Sequence, residues 1–452
     1  MYFAEMFFYY VIVTCLVLTV VVFVHEMGHY LMARRFGVRI EAFSIGFGRE
    51  IFGVTDKRGM RWKICLFPLG GFVVMHGEMP PFVNAQVQFT QAYKNGALWT
   101  RPNGQRSLIA LGGPLANFIC AFLIMTGVFL FHGKEIASPM INAVEIGAGA
   151  DRSGILVGDE LVRVNHVDVP ESFEDIKELT KNSGEALDVV VRRGLEVLDF
   201  NISLSVMKDE GDFGEDTSRK VMGIILGNGL WSLEAINSVD GIPTGGDKDV
   251  ARSLILSRLG KDMVVNFGLV KKEGDEPPKD YRLRLDPKNN QALFDPEHVN
   301  YGSLFYGDFE KTRTKTLGVF DSSIESIRFS WMAIRKTCGV LYQMVVGKKD
   351  TGDLGGVVKI GEMAGGTMRQ ADILGYSIFF RLLAILSVNI GFLNLLPLPM
   401  LDGGHLMFNG YEAVRGKPPT PKVKAYMMAG SVGFVFAFMI LVNFRDILEI
   451  FS

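Results

Sequence analysis

The chain has 452 residues, with 47 Lys and Arg against 49 Asp and Glu, so it has no basic excess of the kind that binds nucleic acid. It is 48% hydrophobic with 34 Phe, which points to a membrane protein rather than a soluble enzyme. Its four cysteines are scattered without a CxxC, which excludes a disulfide framework and a thiolate metal site.

Residues 7–24 carry no charge, and a first membrane helix is predicted over residues 7–36, stopped at Gly37. The start does not read as a cleavable signal peptide: it has no basic n-region and no small-residue cleavage site before His25. The same helix carries His25-Glu26-Met27-Gly28-His29. Two imidazoles at i and i+4 share one helix face and can hold one zinc ion, while the glutamate between them can take a proton from a bound water. An ionisable cluster at the end of a membrane span is expensive unless it is functional. A catalytic zinc needs a third protein ligand, to be sought further along the chain.

Residues 38–105 are basic and glycine-rich. Residues 61–67 and 72–75 read as two short strands around a Pro68-Leu69-Gly70-Gly71 turn, a membrane-associated β-hairpin dipping toward the histidines. Its edge can pair with an extended substrate, with Gly70, Gly71 and Phe72 as candidate contacts. Residues 107–131 form a second span containing Gly112-Gly113-Pro114-Leu115-Ala116-Asn117. Small residues there allow close helix approach, and Asn117 can hydrogen-bond across the interface or help position substrate.

Residues 133–372 are soluble in character. Gly154-Ile155-Leu156-Val157-Gly158-Asp159-Glu160-Leu161 resembles the PDZ-domain pattern, and that resemblance covers residues 135–227. Residues 236–241 echo residues 162–167, so 228–310 is expected to be a degenerate second PDZ-like copy, without the Gly-Ile-x-x-Gly-Asp segment. Residues 317–346 form an amphipathic helix expected to lie on the membrane or on the PDZ region, followed by a glycine-rich loop. A third span is read over residues 382–401 and a fourth over residues 425–443. The third contains Asn389, Asn394, Pro397 and Pro399, candidate substrate contacts in a helix that prolines must break, and it runs into Asp402-Gly403-Gly404-His405. Asp402 is read as the missing ligand, with His405 as its competitor.

The expected fold is therefore a polytopic α-helical membrane protein with four transmembrane helices, a membrane-associated β-hairpin and an inserted α+β PDZ region. Its segments are 1–132, 135–227, 228–310, 311–372 and 373–452. The two sequence blocks at residues 25–29 and 394–404, together with residues 112–117, resemble the site-2 protease family of intramembrane zinc metalloproteases over essentially the whole chain. That resemblance implies His25, His29 and Asp402 as ligands of one zinc ion per chain, Glu26 as the catalytic base and Asn394 as a contact to the substrate backbone. It implies transmembrane substrates already cut once by another protease, among them anti-sigma factors and remnant signal peptides. Basic residues cluster at 34–63 and 415–424, which puts both loops in the cytoplasm and the PDZ region outside a bacterial inner membrane, in contact with lipid. The competing readings are a catalytically dead, membrane-anchored PDZ peptide-binding protein, which would tolerate loss of Glu26, and a metal transporter, which would want ionisable residues spread over several spans.

Overall fold

A computed structural model describes residues 11–77, 93–136, 139–168, 179–180, 183–210, 216–227, 229–268, 277–290, 303–307, 313–346, 363–364, 367, 376–420 and 422–433. The chain forms two compact units, Met1–His132 with Leu317–Ser452, and Gly133–Thr316.

The first unit begins with helix α1, Val13–Arg35. Its many β-branched residues would weaken a helix in water, but a bilayer leaves the backbone no other partner than itself. It ends where expected. Gly37, at φ +69°, follows Phe36, and Gly37 and Val38 donate their N–H groups to the carbonyls of Arg34 and Ala33, a paired cap that only a left-handed residue permits. Strands β1 (Ile40–Thr55) and β2 (Arg61–Met75) follow, paired antiparallel.

This hairpin differs from the expected one. Residues 61–75 form one continuous strand, and the reversal lies at residues 56–60, where the Asp56 carboxylate accepts from the N–H groups of Arg58 and Met60. The Pro68–Gly71 stretch that imitates a turn is instead a bend in β2. Residues 50–55 pair with 61–65, whereas residues 40–45 pair both with 71–75 and with 61–64, so two long bent strands make the sheet. Thr19 of α1 donates to the Pro68 carbonyl at 3.0 Å, and a side chain at Gly71 would touch Val22 and Glu26. The bent half of β2 therefore runs along the membrane helix.

Helix α2, Asn103–Phe131, crosses α1 at glycines. A Cβ on Gly28 would collide with the Gly112 carbonyl, and one on Gly112 would lie 2.7 Å from the Gly28 carbonyl oxygen. The two backbones touch, as the small-residue motif predicts.

In the second unit, β3 (Lys134–Ile136) and β18 (Arg313–Lys315), its first and last strands, pair antiparallel. Between them one pairing scheme occurs twice. In the first copy β4 (Ile141–Glu145) leads to α3 (Gly149–Ser153), β5 (Glu160–Val164), β6 (Val167–Asp168), β7 (Ala186–Arg193), β8 (Glu196–Ser203), a β9–β10 hairpin (Ser205–Glu210, Asp216–Val221) and β11 (Ile224–Leu226). In the second, β12 (Gly229–Ser232) leads to β13 (Ile236–Val239), β14 (Ile242–Pro243), α4 (Lys248–Leu256), β15 (Asp262–Phe267), β16 (Lys279–Arg284) and β17 (Ser303–Tyr306). The β5–β6, β5–β7, β7–β8 and β4–β11 pairings recur as β13–β14, β13–β15, β15–β16 and β12–β17.

The matching hairpins turn at Asn165-His166 and Asp240-Gly241, all with positive φ. They set the alignment one residue away from the sequence echo: buried Leu161 and Val164 correspond to buried Ile236 and Val239. The missing Gly-Ile-x-x-Gly-Asp segment is a deletion. Residues 146–159 separate β4 from β5, whereas only the 3-10 turn Leu233–Ala235 separates β12 from β13. The two copies share a six-stranded sheet through β4 and β16. Residues 169–178, 269–276 and 291–302 lie outside the described residues.

Back in the first unit, α5 spans Val319–Val345. It packs lengthwise on the membrane helices: Ser326 accepts from Thr126 of α2 at 3.1 Å, and Phe329, Ala333 and Ile334 join the core around Met125 and Val388. Arg328 on its exposed side pairs with the less exposed Glu325 at 2.8 Å. Helix α6, Ser377–Asn394, ends seven residues before the expected span does. Pro397 and Pro399 forbid a longer helix, since each removes a donor and disfavours helical backbone in the residue before it. After the turn at 395–401, α7 runs over Asp402–Arg415. Among the described residues α1, α2 and α6 are long and apolar enough to cross a membrane. The fourth expected span is described only to residue 433, and the glycine-rich loop at 352–366 lies almost wholly outside the described residues.

A Gly28→Val variant would force the touching backbones apart and should destabilise the membrane unit by about 3 kcal/mol, the upper end of overpacking costs. Thermal unfolding in detergent measures this, and an unchanged melting temperature would contradict the contact.

Candidate metal centre

Three side chains from two distant parts of the chain converge at the C-terminal half of α1. His25 and His29, one turn apart, present their Nε2 atoms 3.2 Å from each other. Asp402 Oδ2 lies 3.1 Å from the first and 3.3 Å from the second. Both imidazoles are buried and the carboxylate nearly so.

The triangle has the dimensions of a metal site. Zinc bonds to nitrogen and oxygen of about 2.0–2.1 Å imply ligand–ligand edges of about 3.3 Å in a tetrahedron. Three acceptor atoms converging on one point need a cation between them. Two neutral imidazoles with the carboxylates of Asp402 and Glu26 also leave two negative charges, which a divalent ion neutralises. Space is reserved as well. A Cβ on Gly113 of α2 would lie 2.7 Å from His25 Nε2 and closer still to His29 Nε2. The glycine thus keeps a side chain out of the ground in front of both nitrogens.

Each ligand is held by its surroundings. His29 Nδ1 donates to the Ile109 carbonyl at 2.8 Å, which leaves Nε2 with its lone pair. Pro114 lacks the N–H that would bond the Ala110 carbonyl, one residue on from Ile109. Asp402 is the first residue of α7. Cβ atoms on Gly403 or Gly404 would strike the carbonyls of Leu395 and Leu398, so these glycines let the helix start tightly under the proline turn. Further along, α7 is fastened to α2: Arg106 pairs with Glu412 at 2.7 Å, and Asn103 donates to the Asn409 carbonyl at 2.6 Å.

Glu26 stands beside the triangle. Its side chain packs against β2, where a Cβ on Gly71 would meet Glu26 Cγ at 3.5 Å. Asn394, the last residue of α6, brings its amide to 3.5 Å from His25 Nε2. His25, Glu26, His29, Asp402, Asn394 and Gly71 therefore lie close together. Phe72 stacks on Phe47 with ring centroids 6.0 Å apart, and Gly70 lies against the Phe47 ring. Pro399 is buried at the foot of α7 and Pro397 is exposed. Asn389 does not join the group: it lies about 140° around the helix from Asn394 and accepts from Thr337 of α5 at 3.0 Å. His405 is exposed and stays outside the ligand triangle. The Ile109 carbonyl escapes sequence reading because a backbone group has no letter of its own.

Residues 13–440 match the profile of peptidase family M50. A protein of Mesorhizobium japonicum named as a zinc metalloprotease is 30% identical over 437 residues, 95% of this chain and 96% of the relative. One of Rickettsia conorii with the same kind of name is 30% identical over 444 residues, 96% of this chain and 97% of the relative. The regulator of sigma-E protease RseP of Escherichia coli is 28% identical over 435 residues, 90% of this chain and 92% of the relative.

An Asp402→Asn variant and a Gly113→Ala variant should each lower zinc content in purified protein, the first by weakening a ligand and the second by occupying the site. Metal analysis after dialysis against a chelator reads both, and parental zinc in either would contradict the three-ligand site.

Proposed function

The chain belongs to peptidase family M50, and on that basis we propose that it is an intramembrane zinc metalloprotease that hydrolyses peptide bonds within transmembrane segments. The observation that carries this is the His25–His29–Asp402 triangle, with edges of 3.1–3.3 Å, built on an apolar helix with Glu26 beside it. The names of the relatives agree with zinc as the ion, and we infer one per chain.

Zinc, when held there, supplies Lewis-acid charge that acidifies water and polarises a scissile carbonyl. The chain's own groups do the rest. His25 and His29 offer neutral Nε2 atoms and Asp402 one carboxylate oxygen. Glu26 takes a proton from the attacking water and returns it to the leaving amine nitrogen. A substrate helix hides its carbonyls in its own hydrogen bonds, so it must unwind before attack. The bent half of β2, with Gly70, Gly71 and Phe72, offers a strand along which the unwound segment can pair, and Asn394 can hydrogen-bond its backbone. Pro397 and Pro399 hold the turn that sets Asn394 and Asp402 side by side.

The substrates we infer are single-span membrane proteins already trimmed by another protease, in particular anti-sigma factors, together with remnant signal peptides. The RseP relative's name, a sigma-E regulator, favours the first class. The setting is the bacterial inner membrane, with four spans and the repeats of residues 133–316 on the outer side. We read these repeats as PDZ-like modules whose bulk turns away substrates with large outer domains.

Glu26→Gln should keep zinc and lose cleavage of a trimmed single-span substrate by about 10²–10⁴-fold, the usual worth of a general base. Zinc retained together with parental cleavage would show Glu26 to be dispensable. Replacing residues 137–312 by a short turn should let full-length and trimmed substrates be cut alike. Unchanged discrimination between them would end the filter reading.

A further inference from the structure

His25 raises a question that His29 does not. His29 gives its Nδ1–H to a backbone carbonyl. The neighbour of His25 Nδ1 is Asn117 of α2, whose amide end lies 3.3 Å away. Asn117 is 0% exposed. With its NH₂ toward the ring, His25 would accept at Nδ1 and carry its hydrogen on Nε2, the atom that faces His29 and Asp402. An N–H there cannot bind a metal. In that orientation Asn117 Oδ1 is also buried without a hydrogen-bond partner. The two ends of an amide exchange by a half-turn about its last bond, with no change of shape. No donor lies against the Oδ1 position, so the half-turn gives up only the N–H···N contact to His25 and replaces it with an N–H···O bond from His25.

We propose that Asn117 is the positioning residue of His25: its side-chain carbonyl takes the Nδ1–H and leaves Nε2 free to face the metal. This rests on the metal reading of His25, His29 and Asp402. Both histidines of α1 are then oriented by oxygens of α2, one from the backbone at Ile109 and one from a side chain two turns on. The Asn117 backbone is itself pinned, since its carbonyl accepts from Ser387 of α6 at 2.9 Å. The amide touches neither substrate nor ion, so its role is to set the tautomer and ring angle of a ligand.

The test is zinc affinity, measured as transfer from the purified full-length protein in detergent to a competing chromophoric chelator, with the melting temperature of the zinc-free form recorded in parallel. Asn117→Ala should weaken zinc binding by roughly 10–100-fold, whereas Asn117→Asp, which keeps an acceptor oxygen and removes the donor, should stay within about threefold of the parent. The zinc-free forms should melt close together, because the loss is at the metal and not in the packing. Parental affinity in Asn117→Ala overturns the proposal. So does an Asn117→Asp as weak as Asn117→Ala, which would make the amide N–H the group that matters. Should the alanine variant fail to fold, Asn117→Ser, whose hydroxyl is too short to reach the ring, replaces it with the same expectation. His25→Ala separates the two readings. If it keeps parental zinc, the metal reading falls and this one with it. If zinc is lost there but held at parental affinity in Asn117→Ala, only the tautomer assignment falls.

Discussion

Two helix backbones in contact at Gly28 and Gly112 are the condition for the rest of the centre. Helices separated by ordinary side chains pack about 8–10 Å apart, too far for a main-chain oxygen of one to bond an imidazole lying along the other. With the glycines in place, the Ile109 carbonyl reaches His29, and the side chain of Asn117 reaches His25. The same proximity would put any Cβ at residue 113 into the ion's space, which only glycine leaves open. Tight packing and metal geometry are thus two results of one constraint.

The third ligand comes from elsewhere and needs its own support. Asp402 arrives on a helix formed after α6 has been stopped by two prolines, and the carboxylate is largely removed from water. A buried carboxylate without compensation is costly, so its position must be held from both sides. The proline turn packs under Gly403 and Gly404, while the Arg106–Glu412 and Asn103–Asn409 links fix the far end of α7 to α2. Helix α2 is therefore the common reference: it orients both histidines directly and the aspartate through α7.

Much of this centre was readable because its ligands are side chains in fixed spacings. His25, Glu26 and His29 share one helical turn, and Asp402 follows a proline pair in an apolar span, where a carboxylate needs a reason. The parts that escaped have physical causes. Pro68-Leu69-Gly70-Gly71 has turn composition, yet it lies inside a strand of 15 residues, far longer than the usual five or six. The periodicity of residues 319–345 reveals an apolar face but not its partner, and serines along that face disguised a contact with α2. The second repeat lacked its signature because the loop carrying it is deleted, while the two-residue turn at Asp240-Gly241 persisted. Asn389 and Asn394 look equivalent in the sequence, but five residues of helix turn them to different neighbours.

The β3–β18 ladder has a further consequence. The chain enters and leaves the unit of residues 133–316 on two paired strands, whose backbones lie about 4.8 Å apart. To the helices on either side, an insertion of that size is a closed loop whose ends already meet. The entropy of closing it is borne within the insertion, and lengthening it adds only a logarithmic cost. Repeats can therefore be gained, trimmed or exchanged in evolution, as the shortened second copy illustrates, without disturbing the registry of the helices that hold the metal.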